Sequence, residues 1–534
     1  MNILGIHGGV TINQHDAGAA LIVDGKLLCC VEEERLIRVK NSTGVLPIQS
    51  VLACLAEASL SMRDVELVVL PGETYEDILD RTREWLIHHF GFAPKIEAVN
   101  HQTAHLASAF YQSGYDSAMC LSYDAYGDGM SGALGIADRA NGIKVHETLP
   151  GTNSLGVFYA TMTSFLGFKP GEDEYKVMGL APYGIPNIDL SFFCRPDPRG
   201  YIVDPSFFRS RRTATQFEPF YSPRLSAILG EPRRKGELLG EHYKNIAAST
   251  QDALERAAVS LITHLHTLTG QRTLCLAGGV AQNCSANRVI AKLPFIDKFF
   301  IQPASSDRGL ALGCALYGAA QIGETLHPIP HAFYGPSIGS DQIENSILLA
   351  RVPAKRIRDP AAEAARLLAE GKIVAWFQGR SEFGPRALGH RSILADPGLP
   401  GMKDEINTRV KFREEFRPFA PSVLEERFEE IYDLQAPSPY MTIACDVKND
   451  WGGKLPATTH VNNTARVQTV SMQVDPGYHA LISKFEKITG RPAVLNTSFN
   501  IMGQPIVERP LEAIATFYSC GIDALIIGEY SIEK

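Results

Sequence analysis

One arrangement of strands and turns occurs twice in this chain, and it limits the possible folds more than any other feature. Ile3-Leu-Gly-Ile-His7 is an apolar run that breaks at Gly8-Gly9. The runs Ala17–Val23 and Leu27–Val31 follow, joined by Asp24-Gly25. Farther along, Ala118–Asp124 enters the turn Ala125-Tyr-Gly-Asp-Gly129, and Ser131–Ala137 and Ile143–His146 follow, joined by Asn141-Gly142. Asp-Gly and Asn-Gly between apolar runs mark tight hairpins, because these residues accept the left-handed backbone such turns require. Each copy reads as strand, polar turn, strand, hairpin, strand, with an acid at or beside the first turn. The repetition predicts a duplicated α/β domain able to hold a nucleotide between its halves.

Other junctions fit the same plan. Apolar residues at helical spacing predict a helix over Gly240–Leu268. Thr273–Val280 is a buried strand broken by Gly278-Gly279, leading to Asn283. A strand that ends in Gly-Gly before a helix suits a phosphate or ribose contact at the helix N-terminus; a tight turn without a ligand is the alternative. Gln302-Pro-Ala-Ser-Ser-Asp307-Arg-Gly309 is a second strand-to-helix junction with an acid at the turn. Gly278, Gly279, Asn283 and Gly309 are the expected nucleotide contacts. The stretch His327-Pro-Ile-Pro-His-Ala-Phe-Tyr-Gly-Pro-Ser337 reads as a linker. It divides the sequence into domains over 1–340 and 341–534.

The second domain carries a cationic loop. The strand Ile373–Phe377 delivers Arg380, Arg386, His390 and Arg391 among Gly384 and Gly389. Guanidinium forks bind phosphate in bidentate fashion, and the glycines would let backbone approach the anion. A basic surface loop bridging to carboxylates is the plainer alternative. Lys411-Phe-Arg-Glu-Glu-Phe-Arg417-Pro-Phe-Ala-Pro421 adds cations, and His460-Val-Asn-Asn-Thr-Ala-Arg466 leads a loop into a strand. Asn496-Thr-Ser498-Phe-Asn500 follows the apolar run Ala493–Leu495, a polar turn at a strand end where α/β sheets commonly bind ligands. Together these segments suit a phosphate ester with a small amide-bearing group.

The first domain offers donors for a metal. His101-Gln-Thr-Ala-His105 places two imidazoles on one helix face. Asp124 and Asp307 stand at strand-end turns of the same domain. Two imidazoles and two carboxylates form a mixed set that suits Fe²⁺, Mn²⁺ or Zn²⁺. An incidental histidine pair is the alternative. His15-Asp16 lies in the first turn, where a histidine beside a carboxylate is either an oriented base or part of a turn.

Net charge is −8, which excludes an extended nucleic-acid surface while permitting a local basic pocket. No run is long enough to span a membrane, and the first residues lack the basic and apolar segments of a signal peptide. The ten cysteines are scattered without a Cys-x-x-Cys pair, as for reduced thiols of a cytoplasmic enzyme.

Taken in order, His15-Asp16, Val31-Glu-Glu-Glu-Arg35, His101-x-x-x-His105 with Asp124, Glu174-Tyr-Lys-Val-Met-Gly-Leu-Ala-Pro-Tyr-Gly184, Gly278-Gly-Val-Ala-Gln-Asn283, Asp307, Gly384-Pro-Arg-Ala-Leu-Gly-His-Arg391, Lys411–Pro421 and Asn496–Asn500 resemble the O-carbamoyltransferases of the nodulation and antibiotic-tailoring type. The resemblance runs nearly end to end. It implies a duplicated actin-like N-terminal domain, related to tRNA-modification proteins, plus an α+β C-terminal domain resembling the YrdC fold. It implies a metal, Fe²⁺ foremost and Mn²⁺ or Zn²⁺ otherwise, on His101, His105, Asp124 and Asp307. Carbamoyl phosphate, with ATP and Mg²⁺ as co-substrate, is expected on Arg386, His390, Arg391, Lys411, Arg417, Arg466, Asn496 and Ser498. The expected chemistry is formation of carbamoyl adenylate and transfer of its carbamoyl group to a hydroxylated small molecule, with His15 and Asp16 as the catalytic pair. No nucleic acid or membrane partner is expected, and a homodimer is the assembly considered. Asp128 stands where the family pattern leads one to expect another turn residue. The segment 189–235 is expected to shape the acceptor pocket. The competing readings are a tRNA threonylcarbamoyl-modifying enzyme and an actin-like ATPase serving as a scaffold.

Overall fold

Alternation of apolar residues along the strands decides which sheet faces are buried, and the sheets decide where the turns fall. The computed structural model describes residues 1–10, 14–209 and 218–534. Strands β1 (Asn2–His7), β2 (Gly18–Val23) and β3 (Lys26–Glu32) form an antiparallel meander. β4 (Leu67–Pro71) joins parallel to β1, and β5 (Lys95–Val99) completes a five-stranded sheet ordered β3-β2-β1-β4-β5. The second copy repeats this plan. β6 (Ser117–Gly127), β7 (Met130–Asp138) and β8 (Gly142–Pro150) form the meander. After the separate hairpin of β9 (Cys194–Asp197) and β10 (Gly200–Val203), β11 (Thr273–Ala277) and β12 (Lys298–Ile301) add in parallel, giving β12-β11-β6-β7-β8. The same order and sense of strands in both sheets is the duplication that the repeated hairpins predict. The helix expected over Gly240–Leu268 runs Glu241–Thr269.

The C-terminal part holds one large mixed sheet. Its strands are β13 (Lys355–Arg356), β14 (Val374–Phe377), β15 (Arg391–Ala395), β16 (Ala420–Leu424), β19 (Gln468–Val470), β20 (Ala493–Ser498), β21 (Ala524–Ile527) and β22 (Tyr530–Glu533). They are ordered β13-β22-β21-β14-β15-β20-β16-β19, and β17 (Ala444–Asp446) pairs with β18 (Thr464–Arg466) apart from it. β14 shows why the sheet is covered on both faces. Val374 and Trp376 join a core with Leu367, Leu481 and Ile482, whereas Ala375 and Phe377 join another with Ile406, Ile514 and Phe517. Successive side chains point to opposite faces, so a continuously apolar strand needs helices on both. Pro421, which ends the cationic stretch from Lys411, lies within β16. It faces Leu495 of β20, and pairing with β19 begins only at Ser422, so the missing N–H leaves no gap in the ladder.

Contacts divide the chain into two compact units. One comprises residues 1–70, 79–97 and 322–534; the other comprises 71–78 and 98–321. The expected boundary near 340 is a division of sequence. Compactness instead groups most of the first sheet with the C-terminal sheet, for a reason visible in the run Glu32-Glu-Glu-Arg35.

All four of these charged side chains are buried. Glu33 accepts from the N–H groups of Gln49 (3.0 Å) and Ser50 (2.7 Å), occupying the start of the helix Ile48–Glu57. Glu34 accepts from the N–H of Asn41 at 2.7 Å. Glu32 accepts from the N–H of Gly384 at 2.6 Å, and Arg35 donates to the carbonyl of the same glycine at 2.6 Å. One residue of the cationic loop is therefore held through both its N–H and its carbonyl by side chains at the end of β3. Arg380 strengthens the union by donating to the carbonyls of Leu28, Tyr334 and Gly335.

Removing a partner from a buried ionic set leaves the remaining charges uncompensated, which typically costs about 3–5 kcal/mol. Arg35→Leu is expected to lower the first unfolding midpoint in urea by a corresponding amount. A midpoint equal to wild type would show that Arg35 carries no such load.

Candidate functional site

The four proposed metal donors come from three separated segments. His101 and His105 open the helix His101–Ser113, Asp124 lies near the end of β6, and Asp307 begins the short turn Asp307–Gly309. Their donor atoms lie within 4.8 Å of one another. His101 Nε2 is 3.4 Å from Asp124 Oδ2 and 3.5 Å from Asp307 Oδ1; His105 Nε2 is 3.6 and 3.5 Å from the same two atoms. Four donors so spaced share a centre about 2–2.5 Å from each, the length of divalent-metal bonds to imidazole and carboxylate. His105 is fully buried, yet neither ring nitrogen makes a hydrogen bond among the described residues. A buried imidazole nitrogen left in that state asks for a metal, so the donor set fits one.

Electrostatics agree with the need for a cation. Burial disfavours a charged His101, but Asp307 and Asp124 outweigh it and lift its pKa to about 10. Burial and the nearby Asp307 push Asp124 upward, and the hydrogen bond from His101 together with the facing His105 ring holds it below the ordinary carboxylate range. The two carboxylates thus favour positive charge between them, whether from protons or from a metal.

Local structure aims these donors. Asn100 caps the helix by accepting from the N–H groups of Gln102 and Thr103. The Gly279 N–H donates to Asp124 Oδ1 at 3.0 Å, fixing the carboxylate while Oδ2 faces the histidines. Gly278 takes φ +89°, and a Cβ there would meet the Tyr123 carbonyl at 2.2 Å. Gly309 likewise lies against the Ala304 carbonyl. Asn283, expected to touch a nucleotide, caps the helix Cys284–Ala291 and exchanges two 2.9 Å hydrogen bonds with Gln251. The turn expected at Ala125–Gly129 begins later, because β6 runs on to Gly127. Asp128 follows in a left-handed conformation and is buried. Its carboxylate accepts from the His101 N–H and the Thr74 hydroxyl, a role that no local pattern announces.

The first turn is in the other compact unit. His15 is half-exposed, and its Nδ1 lies 3.2 Å from Asp16 Oδ2; Asp16 adopts a left-handed φ of 58°. Asp16 thus orients the ring as the adjacent pair implies. The segment 189–235, expected to shape the acceptor pocket, includes residues 210–217, which lie outside the described residues.

The cationic cluster divides into two groups. Lys411 closes a π-helical turn, Asn407–Lys411, that follows the helix Met402–Ile406. Such wide turns often mark functional positions, and this one directs the lysine inward. Its ammonium donates to the carbonyls of Ser498 and Asn500 and to the Asn500 side-chain oxygen. Burial, then Arg413 and Arg417, lower its pKa well below the ordinary lysine value. Burial and the nearby Arg466 and Lys403 likewise push His460 down to about 3. Cations gathered around polar, uncharged oxygens suit an anion.

Arg391 and Asn496 are placed differently from expectation. Arg391 is fully buried, donates to the carbonyls of Gln378, His390 and Gly379, and stacks 3.7 Å over Phe377. The register that sets Phe377 opposite Arg391 turns the guanidinium inward. The Asn496 amide nitrogen donates to the Ala387 carbonyl, Ser422 and Gln468. The glycines also serve the fold: Gly384 is held by Glu32 and Arg35, and a Cβ on Gly389 would stand 2.3 Å from the Tyr478 ring. His390 stays half-buried. It donates from Nδ1 to the Arg380 carbonyl, stacks on Phe333 at 3.8 Å and faces Asp475 at 3.3 Å. Arg386 is also partly exposed.

Comparison with known proteins addresses the same residues. A model described as the carbamoyltransferase N-terminus matches residues 3–89 and 87–316, and one described as the carbamoyltransferase C-terminus matches 365–534. The nodulation protein NolNO of Sinorhizobium fredii is 38% identical, over 97% of this chain and 79% of its own length. The nodulation protein NolO of Bradyrhizobium diazoefficiens is 38% identical, over 82% of this chain and 79% of its own length. An uncharacterised protein of Methanocaldococcus jannaschii is 30% identical over 100% of this chain and 99% of its own length.

Two substitutions test the metal donors. His105→Ala is expected to abolish stoichiometric metal by elemental analysis after reconstitution; full metal content would rule out the site. Gly127→Ala is expected to lower metal occupancy, because the added methyl would stand 2.3 Å from the His101 ring.

Proposed function

The chain belongs to the carbamoyltransferase family, and we propose that it is an ATP-dependent O-carbamoyltransferase that makes carbamoyl adenylate and passes the carbamoyl group to a hydroxyl of a small molecule. The observation that carries this reading is the buried Lys411, whose pKa is lowered by burial and by the neighbouring Arg413 and Arg417. A multiply charged anion suits such a gathering of cations, and carbamoyl phosphate and the ATP phosphates supply one.

Atom balance orders the chemistry. Water cleaves carbamoyl phosphate to carbamate and inorganic phosphate. A carbamate oxygen then attacks the α-phosphorus of ATP, and pyrophosphate leaves with the electron pair of the broken P–O bond. This exchange turns a poor electrophile into a mixed anhydride with AMP as leaving group. Lys411 and Arg417 hold the anions, with Ser498 beside them, and Arg386, His390 and Arg466 complete the charged surround. Arg391 and Asn496 keep this part of the sheet in shape. The acceptor hydroxyl then attacks the carbamoyl carbon and AMP departs.

His15 takes the hydroxyl proton. Its Nδ1–H directed at Asp16 leaves Nε2 as the basic atom, so the carboxylate selects the tautomer and stabilises the imidazolium that forms. A divalent metal on His101, His105, Asp124 and Asp307, with Fe²⁺ the first candidate, would supply Lewis acidity toward an oxygen of the donor or acceptor. Within that centre the protein's task is to keep the Asp124 carboxylate low in pKa and both rings aimed inward.

Pyrophosphate release that requires carbamoyl phosphate but no acceptor tests the adenylation step. Lys411→Met is expected to reduce it by at least tenfold; wild-type release would overturn the anion assignment. The pH dependence has a definite sign. Lys411 is lowered in the free protein, and a bound anion restores its charge, so binding takes up a proton between that lowered value and the ordinary 10.5. Affinity for carbamoyl phosphate is therefore expected to fall as pH rises through this window. Calorimetry in buffers of different ionisation enthalpy measures the uptake, and its absence would remove Lys411 from the site.

For the transfer step, His15→Asn is expected to form adenylate normally and to slow single-turnover transfer by about 10²–10⁴. A rate within threefold of wild type would leave His15 a turn residue.

A further inference from the structure

We propose that Asp128 is a positioning residue of the metal centre, which locks the start of the ligand helix and ties it to the loop that follows β4. The inference rests on reading His101, His105, Asp124 and Asp307 as metal donors, and it concerns a residue outside that set.

The first turn of a helix has N–H groups without partners inside the helix. Here each one can be traced. Gln102 and Thr103 donate to the side chain of Asn100, and Ala104 donates to the Asn100 carbonyl. The N–H of His101 lies outside the reach of this cap, and Asp128 Oδ2 accepts it at 2.7 Å. The other oxygen, Oδ1, accepts from the hydroxyl of Thr74 at 2.9 Å. Asp128 is only 5% exposed, and its φ of 52° lies in a region that side chains seldom occupy. A buried carboxylate in such a conformation is held for its two bonds.

The preceding residue points the same way. Gly127 leaves the space beneath the His101 ring clear, where a Cβ would approach within 2.3 Å. Residues 127 and 128 thus contact the ring and the backbone of the same ligand. Asp124 lies four residues earlier on the same strand end, so one segment supplies a metal ligand and fixes another. The carboxylate at the helix N-terminus also favours the helix electrostatically. Because His101 is the first helical residue, rotation of that peptide would swing its ring away from Asp124 and Asp307, and the Thr74 bond keeps the carboxylate from following.

Metal affinity and spectroscopy on the full chain test this, independently of activity. Co²⁺ is the probe, with a competing chelator to give the dissociation constant and the visible absorption to report ligand geometry. Asp128→Ala is expected to weaken Co²⁺ binding about 10–100-fold, the usual effect of losing a group that orients a ligand, and to alter the absorption. Asp128→Asn can still accept from His101 while donating to the Thr74 oxygen, so it is expected to stay within about threefold of wild type. Thr74→Val is expected to weaken binding by threefold or more. It carries the test if Asp128→Ala does not fold.

A purely structural Asp128 would lower the melting temperature of the metal-free protein while leaving the dissociation constant and spectrum unchanged, and that result would overturn the proposal. Wild-type affinity in Thr74→Val, or a loss in Asp128→Asn as large as in Asp128→Ala, would do the same. Failure of the metal reading itself looks different: the wild-type chain would then bind no stoichiometric Co²⁺, or would bind it equally with His105→Ala.

Discussion

Gly384 is gripped on both sides, its N–H by Glu32 and its carbonyl by Arg35. Both side chains are buried, so they interact where water screens little and any displacement is costly. Around this grip the cationic loop takes its course. Arg380 reaches three carbonyls, two of them in the linker, His390 stacks on a linker phenylalanine, and Arg391 turns under the loop onto Phe377. Arg38 extends the union by donating to the carbonyls of Pro505 and Ile506. The charged run at the end of β3 thus converts sequence-distant segments into one compact body.

The metal centre follows a different economy. Its four donors arise where elements begin or end: a helix start, a strand end and a short turn. Backbone at such points has spare N–H groups, and the fold uses them to aim side chains, as Gly279 does for Asp124. Glycines at 278 and 309 allow neighbouring backbone to come closer than any side chain would permit, and Gly127 leaves room for the His101 ring. The Asp124 carboxylate is held below the ordinary range by the same histidines that share the site, so charge balance and ligand geometry are one problem with one solution.

Much of this was legible in the sequence where the signal was local. The hairpins at Asp24-Gly25 and Asn141-Gly142 revealed the duplication, and the spacing of His101 and His105 placed both rings on one helix face. What escaped depended on register or on distant partners. Nothing near Arg391 says which way its guanidinium turns; that follows from β14 and β15 pairing Phe377 with Arg391. Asp128 read as a departure in a turn because its partners, His101 and Thr74, are 27 and 54 residues away. The π-turn at Asn407–Lys411 has no compositional mark at all.

The doubly held Gly384 also bears on how such a chain can change over evolutionary time. The linker at 327–337 looks like a natural joint for exchanging one half of the protein for another. Yet a crossover there would part Glu32 and Arg35 from Gly384 and leave buried charges on both sides facing foreign surfaces. Inheritance as a single block is the cheaper course. Diversity is better tolerated in segments outside the grip, such as 189–235. The chain divides at this linker when read as text, but as a folded object it does not divide there.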